Sequence, residues 1–338
     1  MIFMGACFSK KKKFYTIISY NIYSLGQYFN NRINGIINAI TDNEKHFPEI
    51  ICLQETNINF IQNFINKAKK NNIHYYCYST KTYYENNKLL SNYEKVELNN
   101  DLEKYGYIAI LSIWEIYDEN KIYSNFEWLY NGIIKVKLKS NKDINEDIIL
   151  YNIHAIKPNI NYNKNKNNFN YKYLQYIEEF KILESNILEE YNNNKNNLIY
   201  ICGDFNINLN DKTTLEYNHS PPQFNPNFID CWEYLNINNN TLINLGFTED
   251  EETNQYKASI DIKSNFEKRT RFNGIFIYTT NIKLPIKSIK IIGNEKLDIK
   301  KNINGKGEDK YNFDCITYTN LFPSIHYGIE LKCIKNNI

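Results

Sequence analysis

The chain has no long apolar run. No stretch of its 338 residues reaches the roughly 18 consecutive apolar positions that a membrane-spanning helix requires. The N-terminus has no secretory h-region either. The seven cysteines (7, 52, 77, 202, 231, 315 and 333) form no CxxC pair and no zinc-binding spacing. Cys52 and Cys202 sit inside apolar runs, where a free thiol behaves as a small hydrophobe. This usage predicts a reducing, intracellular setting, nucleus or cytoplasm. An excess of one charge is also missing. Forty Lys and Arg face 38 Asp and Glu, and Lys10 to Lys13 account for four of the bases, so the remainder is slightly acidic. The broad basic surface of a general DNA-binding domain is thereby excluded. A nucleic-acid contact has to be a local patch, with Lys268, Arg269 and Arg271 the candidates. There is no internal repeat and no clear linker, which predicts a monomer with a basic leader at 1–13 and a single domain over 14–338.

Bulky apolar and aromatic residues are plentiful, with 29 Tyr and 19 Phe, enough for a sizeable core. Helical periodicity covers 29–41, 57–70 and 172–192, and strand-like runs cover 14–22, 49–54, 72–80, 107–113, 198–202, 272–279, 286–292 and 326–334. Three more strand-like runs lie in 114–150. The Asn/Lys-rich stretch 160–171 reads as a surface insertion, and 207–256 as loop-rich with short helices. Early alternation of strands and helices, with hairpin-like pairs later, predicts an α/β protein of two packed sheets with helices outside.

Several apolar runs end in one polar motif each. Ile17–Asn21, Ile50–Glu55, Ile148–His154 and Leu198–Asn206 are four, and Phe322–His326 is a fifth. Such a run reads as a buried strand that delivers a polar group to its tip. The groups delivered are those of metal-assisted phosphate-ester hydrolysis. Asp204 can take a proton from a water, and Asn206, two residues on and expected on the same strand face, can orient it. Glu55 is the natural ligand for Mg²⁺, which takes one or two carboxylates and keeps water. His154 and His326, two of five histidines, are placed to contact phosphate, whereas His46, His74 and His219 lack such a context.

The order Asn21, Leu53-Gln54-Glu55, His154, Gly203-Asp204-Phe205-Asn206, Ser324-Ile325-His326 resembles the endonuclease/exonuclease/phosphatase superfamily. The C-terminal third is most similar to its 5′-tyrosyl-DNA phosphodiesterase 2 family. That likeness rests on Asp230-Cys231-Trp232-Glu233, on Gly246-Phe247-Thr248-Glu249-Asp250 with Asn254, and on Arg271-Phe272-Asn273-Gly274-Ile275-Phe276. It extends to Gly293-Asn294-Glu295-Lys296-Leu297-Asp298 and Phe322-Pro323-Ser324-Ile325-His326-Tyr327-Gly328. The resemblance implies a four-layer α/β sandwich of two mixed sheets flanked by helices. It implies hydrolysis of a phosphodiester, a tyrosine joined to a DNA 5′-phosphate, with Mg²⁺ or Mn²⁺. Carried over by position, Glu55 binds the metal, Asp204 activates the water, Asn206 orients it, and Asn21, His154 and His326 contact the phosphoryl oxygens. Arg271, Trp232 and Asn273 would face the substrate.

The chain departs from the family at five positions, one of them Asn208, where the family has an Arg. Tyr23, Asn273 and Ile325 stand where the family has Asp, and Glu249 stands where it has Trp. Three readings therefore stay open: a phosphodiesterase acting on a DNA 5′ end or protein–DNA adduct, a membrane-associated phospholipid phosphodiesterase resembling sphingomyelinases, and a catalytically degenerate binding module. The second draws on the N-terminus. A start at Met4 would leave Gly5 first with Ser9 as the fifth residue, a myristoylation pattern, beside Cys7 for palmitoylation and Lys10 to Lys13 for anionic lipid.

Overall fold

The computed structural model describes residues 14–24, 29–81, 106–123, 131–139, 147–158, 171–212, 225–237, 245–250, 252–254, 269–280, 284–295, 297, 322–324 and 326–335. The N-terminal acylation pattern, the Asn/Lys-rich stretch at 160–170, Lys268 and Ile325 lie outside them. Among the described residues no helix is long and apolar enough to cross a membrane.

Most of the strands fall into two six-stranded sheets. The first sheet contains β1 (Phe14–Asn21), β2 (Ile50–Thr56), β3 (Tyr76–Ser79), β4 (Tyr107–Ser112), β13 (Ile286–Ile292) and β14 (Gly328–Ile334). Its strand order is β13-β14-β1-β2-β4-β3. The second contains β5 (Ile116–Tyr123), β6 (Gly132–Leu138), β7 (Ile148–His154), β8 (Leu198–Asp204), β9 (Phe228–Asp230) and β12 (Asn273–Tyr278). Its order is β5-β6-β7-β8-β12-β9. β10 (Glu249–Asp250) and β11 (Arg269–Thr270) form a separate two-stranded pair. Each large sheet mixes one parallel pair, β1 with β2 and β7 with β8, into otherwise antiparallel neighbours. The helices that position the site are α1 (Phe29–Thr41), α2 (Ile58–Lys70), α3 (Tyr171–Asn193) and α4 (Cys231–Ile237).

Three cores separate four layers. Between the sheets, Ile17, Ile50, Cys52, Ile110 and Leu331 meet Val136, Ile148, Leu150, Tyr200 and Ile277. Outside the first sheet, Ile18, Tyr20 and Leu53 pack on Ile36 and Ile37 of α1 and on Phe60 and Phe64 of α2. Outside the second, Ile149, Tyr151, Ile199 and Ile201 pack on Tyr176, Phe180, Leu183 and Ile187 of α3. Strands such as Ile148–His154 are apolar at every early position because both faces are covered, which is why they read as continuous runs. The expected α/β sandwich is the fold found.

Two strands start two or more residues later than expected. The Tyr-rich strand begins at Tyr76, because α2 ends in a turn in which Asn72 has φ 59°. The last strand begins at Gly328, which leaves His326 in the segment before it.

Candidate active site

Strand alternation decides which polar groups meet. On β1, Tyr15 and Ile17 face the other sheet, and Asn21 keeps their parity. On β7 the same face carries Ile148 and Leu150, then Asn152 and His154. On β8 it carries Tyr200 and Cys202, then Asp204, and on β12 Ile275 and Ile277 follow Asn273. Register completes the placement: His154 lies beside Asp204 on its parallel neighbour, and Asn273 lies opposite Asp204. One end of the inter-sheet layer thus receives a polar side chain from each of four strands.

β2 breaks this rule in an informative way. Its inward parity belongs to Ile50, Cys52 and Gln54, so regular alternation would turn Glu55 toward the helices. Gln54 instead serves as a strut, its Nε2 donating to Asn152 Oδ1 at 2.7 Å across the sheets. The β2–β4 register shifts between Leu53 and Thr56, and Glu55 has φ 48°. This bulge re-aims the carboxylate into the site. Gly106, at φ +79°, passes close: a Cβ there would lie 3.0 Å from the Glu55 carbonyl carbon.

Asn21 joins the carboxylates. Its Nδ2 donates to Glu55 Oε1 at 2.9 Å and to Asp204 Oδ2 at 3.0 Å, while its Oδ1 accepts the Tyr23 N–H. His154 Nε2 is 3.6 Å from Glu55 Oε1. Asp204 is buried, and its Oδ1 accepts the Asn206 N–H at 2.9 Å. Asn206 is not on a strand, contrary to the sequence-based expectation. β8 ends at Asp204, Asn206 turns left-handed at φ 52°, and its Nδ2 donates to the Ala155 carbonyl. Glu55, Asn206 and Tyr23 (φ 47°) put three non-glycine residues in the left-handed region around one centre. Such backbone persists only where the surroundings hold it.

His326 arrives from the segment before β14. Ser324 Oγ donates to the Asn21 carbonyl at 2.9 Å and accepts the His326 N–H at 3.2 Å. The buried Arg32 guanidinium donates to the Pro323 and Tyr23 carbonyls, both at 2.8 Å, and so ties this segment to the end of β1. His326 Nδ1 lies 3.9 Å from Asp204 Oδ2 and 2.9 Å from Glu249 Oε1. Burial works against the imidazolium, but Glu249 first, with Asp204 and Glu55 behind it, outweighs burial and raises the histidine pKa.

The family model described as Endonuclease/Exonuclease/phosphatase family matches residues 18–230, well over half of the chain. The chain belongs to this family. Its members are phosphodiester hydrolases that usually use divalent metals. Truncated TDP2 from Caenorhabditis elegans is 17% identical, with a TM-score of 0.59 over 95% of this chain and 97% of that one. Danio rerio TDP2 complexed with a single-strand DNA product is 16% identical, with a TM-score of 0.59 over 94% and 98%. The beta toxin of Staphylococcus aureus is 15% identical, with a TM-score of 0.54 over 94% and 99%. No curated protein sequence matches the chain.

Within this family member, three residues expected at the substrate have other duties. Arg271 is fully buried; its Nη1 and Nη2 donate to the two oxygens of Asp230 at 3.1 and 2.6 Å, and its Nε to Asn210 Oδ1 at 2.9 Å. It is a structural cation and is not available to a phosphate. Trp232 is buried against Gly246, where a Cβ would come within 2.2 Å of the indole. Arg269 is more exposed, yet it pairs with Asp250 at 3.1 Å and Glu252 at 3.2 Å, so the anticipated basic patch is neutralised at both described positions. Asn273 does line the site, opposite Asp204, and neither its Oδ1 nor its Nδ2 finds a partner among the described residues. Tyr23 packs with Phe322 and Tyr327 in a small apolar cluster.

The sequence reading missed Arg32, Thr248 and the role of Glu249. Thr248 Oγ1 accepts the N–H groups of Phe272 and Asn273 at 2.9 and 3.1 Å. An Arg on an otherwise apolar helix face was the available signal for Arg32.

A divalent cation is implied by the family. Among the described residues no group of three or more His, Cys, Asp or Glu side chains forms a metal cage. What is present is an open donor. Glu55 Oε1 is occupied by Asn21 and faces His154, while no protein group engages Oε2 among the described residues. One carboxylate oxygen at a partly exposed strand end fits a hard cation that keeps most of its water.

Proposed function

We propose that the chain is a metal-dependent phosphodiesterase that hydrolyses a phosphodiester at a nucleic-acid 5′ end, such as a tyrosine–DNA adduct. The observation that carries this reading is Asn21 bridging Glu55 and Asp204, with His154 and His326 flanking the pair. Mg²⁺ or Mn²⁺, held by Glu55 Oε2, would supply positive charge to a phosphoryl oxygen. Asp204 is the general base. Its two oxygens accept the Asn206 N–H and the Asn21 amide, which fix the carboxylate and leave lone pairs to take the proton of an attacking water. His154 and His326 offer ring N–H groups to the non-bridging oxygens, where charge builds in the transition state. Asn21 keeps two carboxylates side by side that would otherwise repel. The DNA-product complex of a similarly folded TDP2 supports a nucleic-acid substrate.

The test is hydrolysis of a 5′-phosphotyrosyl oligonucleotide, and of bis(p-nitrophenyl) phosphate, with Mg²⁺ or Mn²⁺. Asp204→Asn and Glu55→Gln should each lower the rate roughly 10²-fold or more, the scale of a lost base or charge. His46→Ala, whose ring faces Thr16 away from the site, should change it little. Absence of hydrolysis of both substrates with both metals, or a wild-type rate in Asp204→Asn, overturns the reading.

A further inference from the structure

We propose that Glu249 is the positioning carboxylate of His326, in a site where Asn273 stands in place of the family's Asp. The inference rests on the phosphodiesterase reading for its consequence, and on geometry for its content. Glu249 Oε1 is 2.9 Å from His326 Nδ1, and both side chains are under 10% exposed. Asn273 carries no charge, and neither of its side-chain atoms has a partner among the described residues. The chain has Asn where the family has a carboxylate on β12, and it has a carboxylate in place of a Trp on β10, beside the His326 imidazole.

This segment is fastened so that Glu249 cannot swing away. The Thr248 N–H donates to the Thr270 carbonyl at 2.9 Å, and β10 pairs with β11 through Glu249 opposite Thr270. The Thr248 carbonyl accepts the Tyr327 N–H at 2.6 Å, one residue beyond His326. Asn254 Nδ2 donates to the Ser324 carbonyl at 2.8 Å, two residues before it. Glu249 and His326 therefore sit on two segments bonded to each other on both sides of the contact. The approach is an ion-pair contact whose Nδ1–H is not aligned on Oε1, yet the carboxylate's charge beside Nδ1 favours the proton on that nitrogen and leaves Nε2 on the far side of the ring. Nε2 is then the atom presented to a phosphoryl oxygen.

The experiment uses the full chain with Glu249→Gln, Asn273→Asp and the double variant. Glu249→Gln should lower kcat roughly 10-fold or more while KM moves less than about 2-fold, as for an interaction felt mainly in the transition state. Adding Asn273→Asp to Glu249→Gln should recover most of that loss, because it returns a carboxylate to the site on β12, opposite Asp204, which itself lies 3.9 Å from the ring. A structural role alone would not be rescued this way. Ring nitrogen shifts of His326 in metal-free protein give a readout independent of turnover. At a pH high enough for the ring to be neutral, wild type should carry its single proton on Nδ1, Glu249→Gln should shift it toward Nε2, and the double variant should shift it back. If wild type hydrolyses nothing, the phosphodiesterase reading fails and the ring measurement alone decides the positioning claim. Unchanged ring shifts in Glu249→Gln, or a kcat loss that Asn273→Asp leaves untouched, overturn it.

Discussion

At the scale of single residues, the site depends on groups that never touch a substrate. From sequence, Arg271 is expected to face the substrate, by its place in a basic patch with Lys268 and Arg269 and in a motif that resembles the family's. Its partner, Asp230, is 41 residues away and becomes adjacent only when β9 pairs with β12. Asp230 also accepts the N–H groups of Trp232 and Glu233 at the start of α4. Asp230→Ala therefore leaves a buried guanidinium, among the described residues, with only Asn210 and the more distant Glu233, 3.8 Å away, and uncaps a helix at once. Breaking a buried pair in this way costs about 3–5 kcal/mol. Urea unfolding of the variant should show a loss of that size, and a loss below about 1 kcal/mol would mean that water reaches Arg271.

At the scale of elements, the strands were legible and their irregularities were not. Ile148–His154 and Leu198–Asp204 announce themselves as apolar runs with a polar tip, since both faces are covered and only the tip reaches the polar end of the inter-sheet layer. The bulge that turns Glu55 depends on pairing with β4, which begins more than 50 residues later. The place of Glu249 depends on three separate segments. Neither is written in local pattern. Gly203 shows the opposite case, a motif residue whose reason emerges only from packing. At φ +150°, a Cβ would come within 2.0 Å of the Ile153 carbonyl oxygen on β7. Gly203→Ala should push β7 from β8 and separate His154 from Asp204. We expect a loss of about 1–3 kcal/mol or more in stability, the range for overpacking. The rate should fall more steeply than the residual folded fraction explains. A folded Gly203→Ala protein with full activity would show that the two strands need not sit so close.

At the scale of the whole molecule, the four layers place ionisable groups in settings that tilt stability with pH. Glu179 of α3 is completely buried, and its Oε2 accepts the Ile156 N–H. Burial pushes its carboxyl up to about 8, against the opposing pull of that hydrogen bond. Its contribution is therefore complete below the ordinary carboxyl value and is lost as pH rises through about 8. His326 has the same sign: burial opposes the charged ring, Glu249 and Asp204 override it, and the stabilisation fades as pH climbs above the ordinary imidazole range. Glu190 runs the other way. Burial disfavours its charge, but Lys135 and Lys137 hold it low, so its contribution is present above the ordinary carboxyl value and is lost on acidification. Of these three, Glu190 favours the fold above the ordinary carboxyl range, while Glu179 and His326 withdraw support on the alkaline side. Glu179→Gln keeps the oxygen that accepts the Ile156 N–H and removes the titration. The variant should match wild type near pH 5 and be more stable at pH 9, with a gain on the order of a few kcal/mol. Thermal melts of metal-free wild type and variant across that range test it, and parallel curves would show that Glu179 does not govern the alkaline arm.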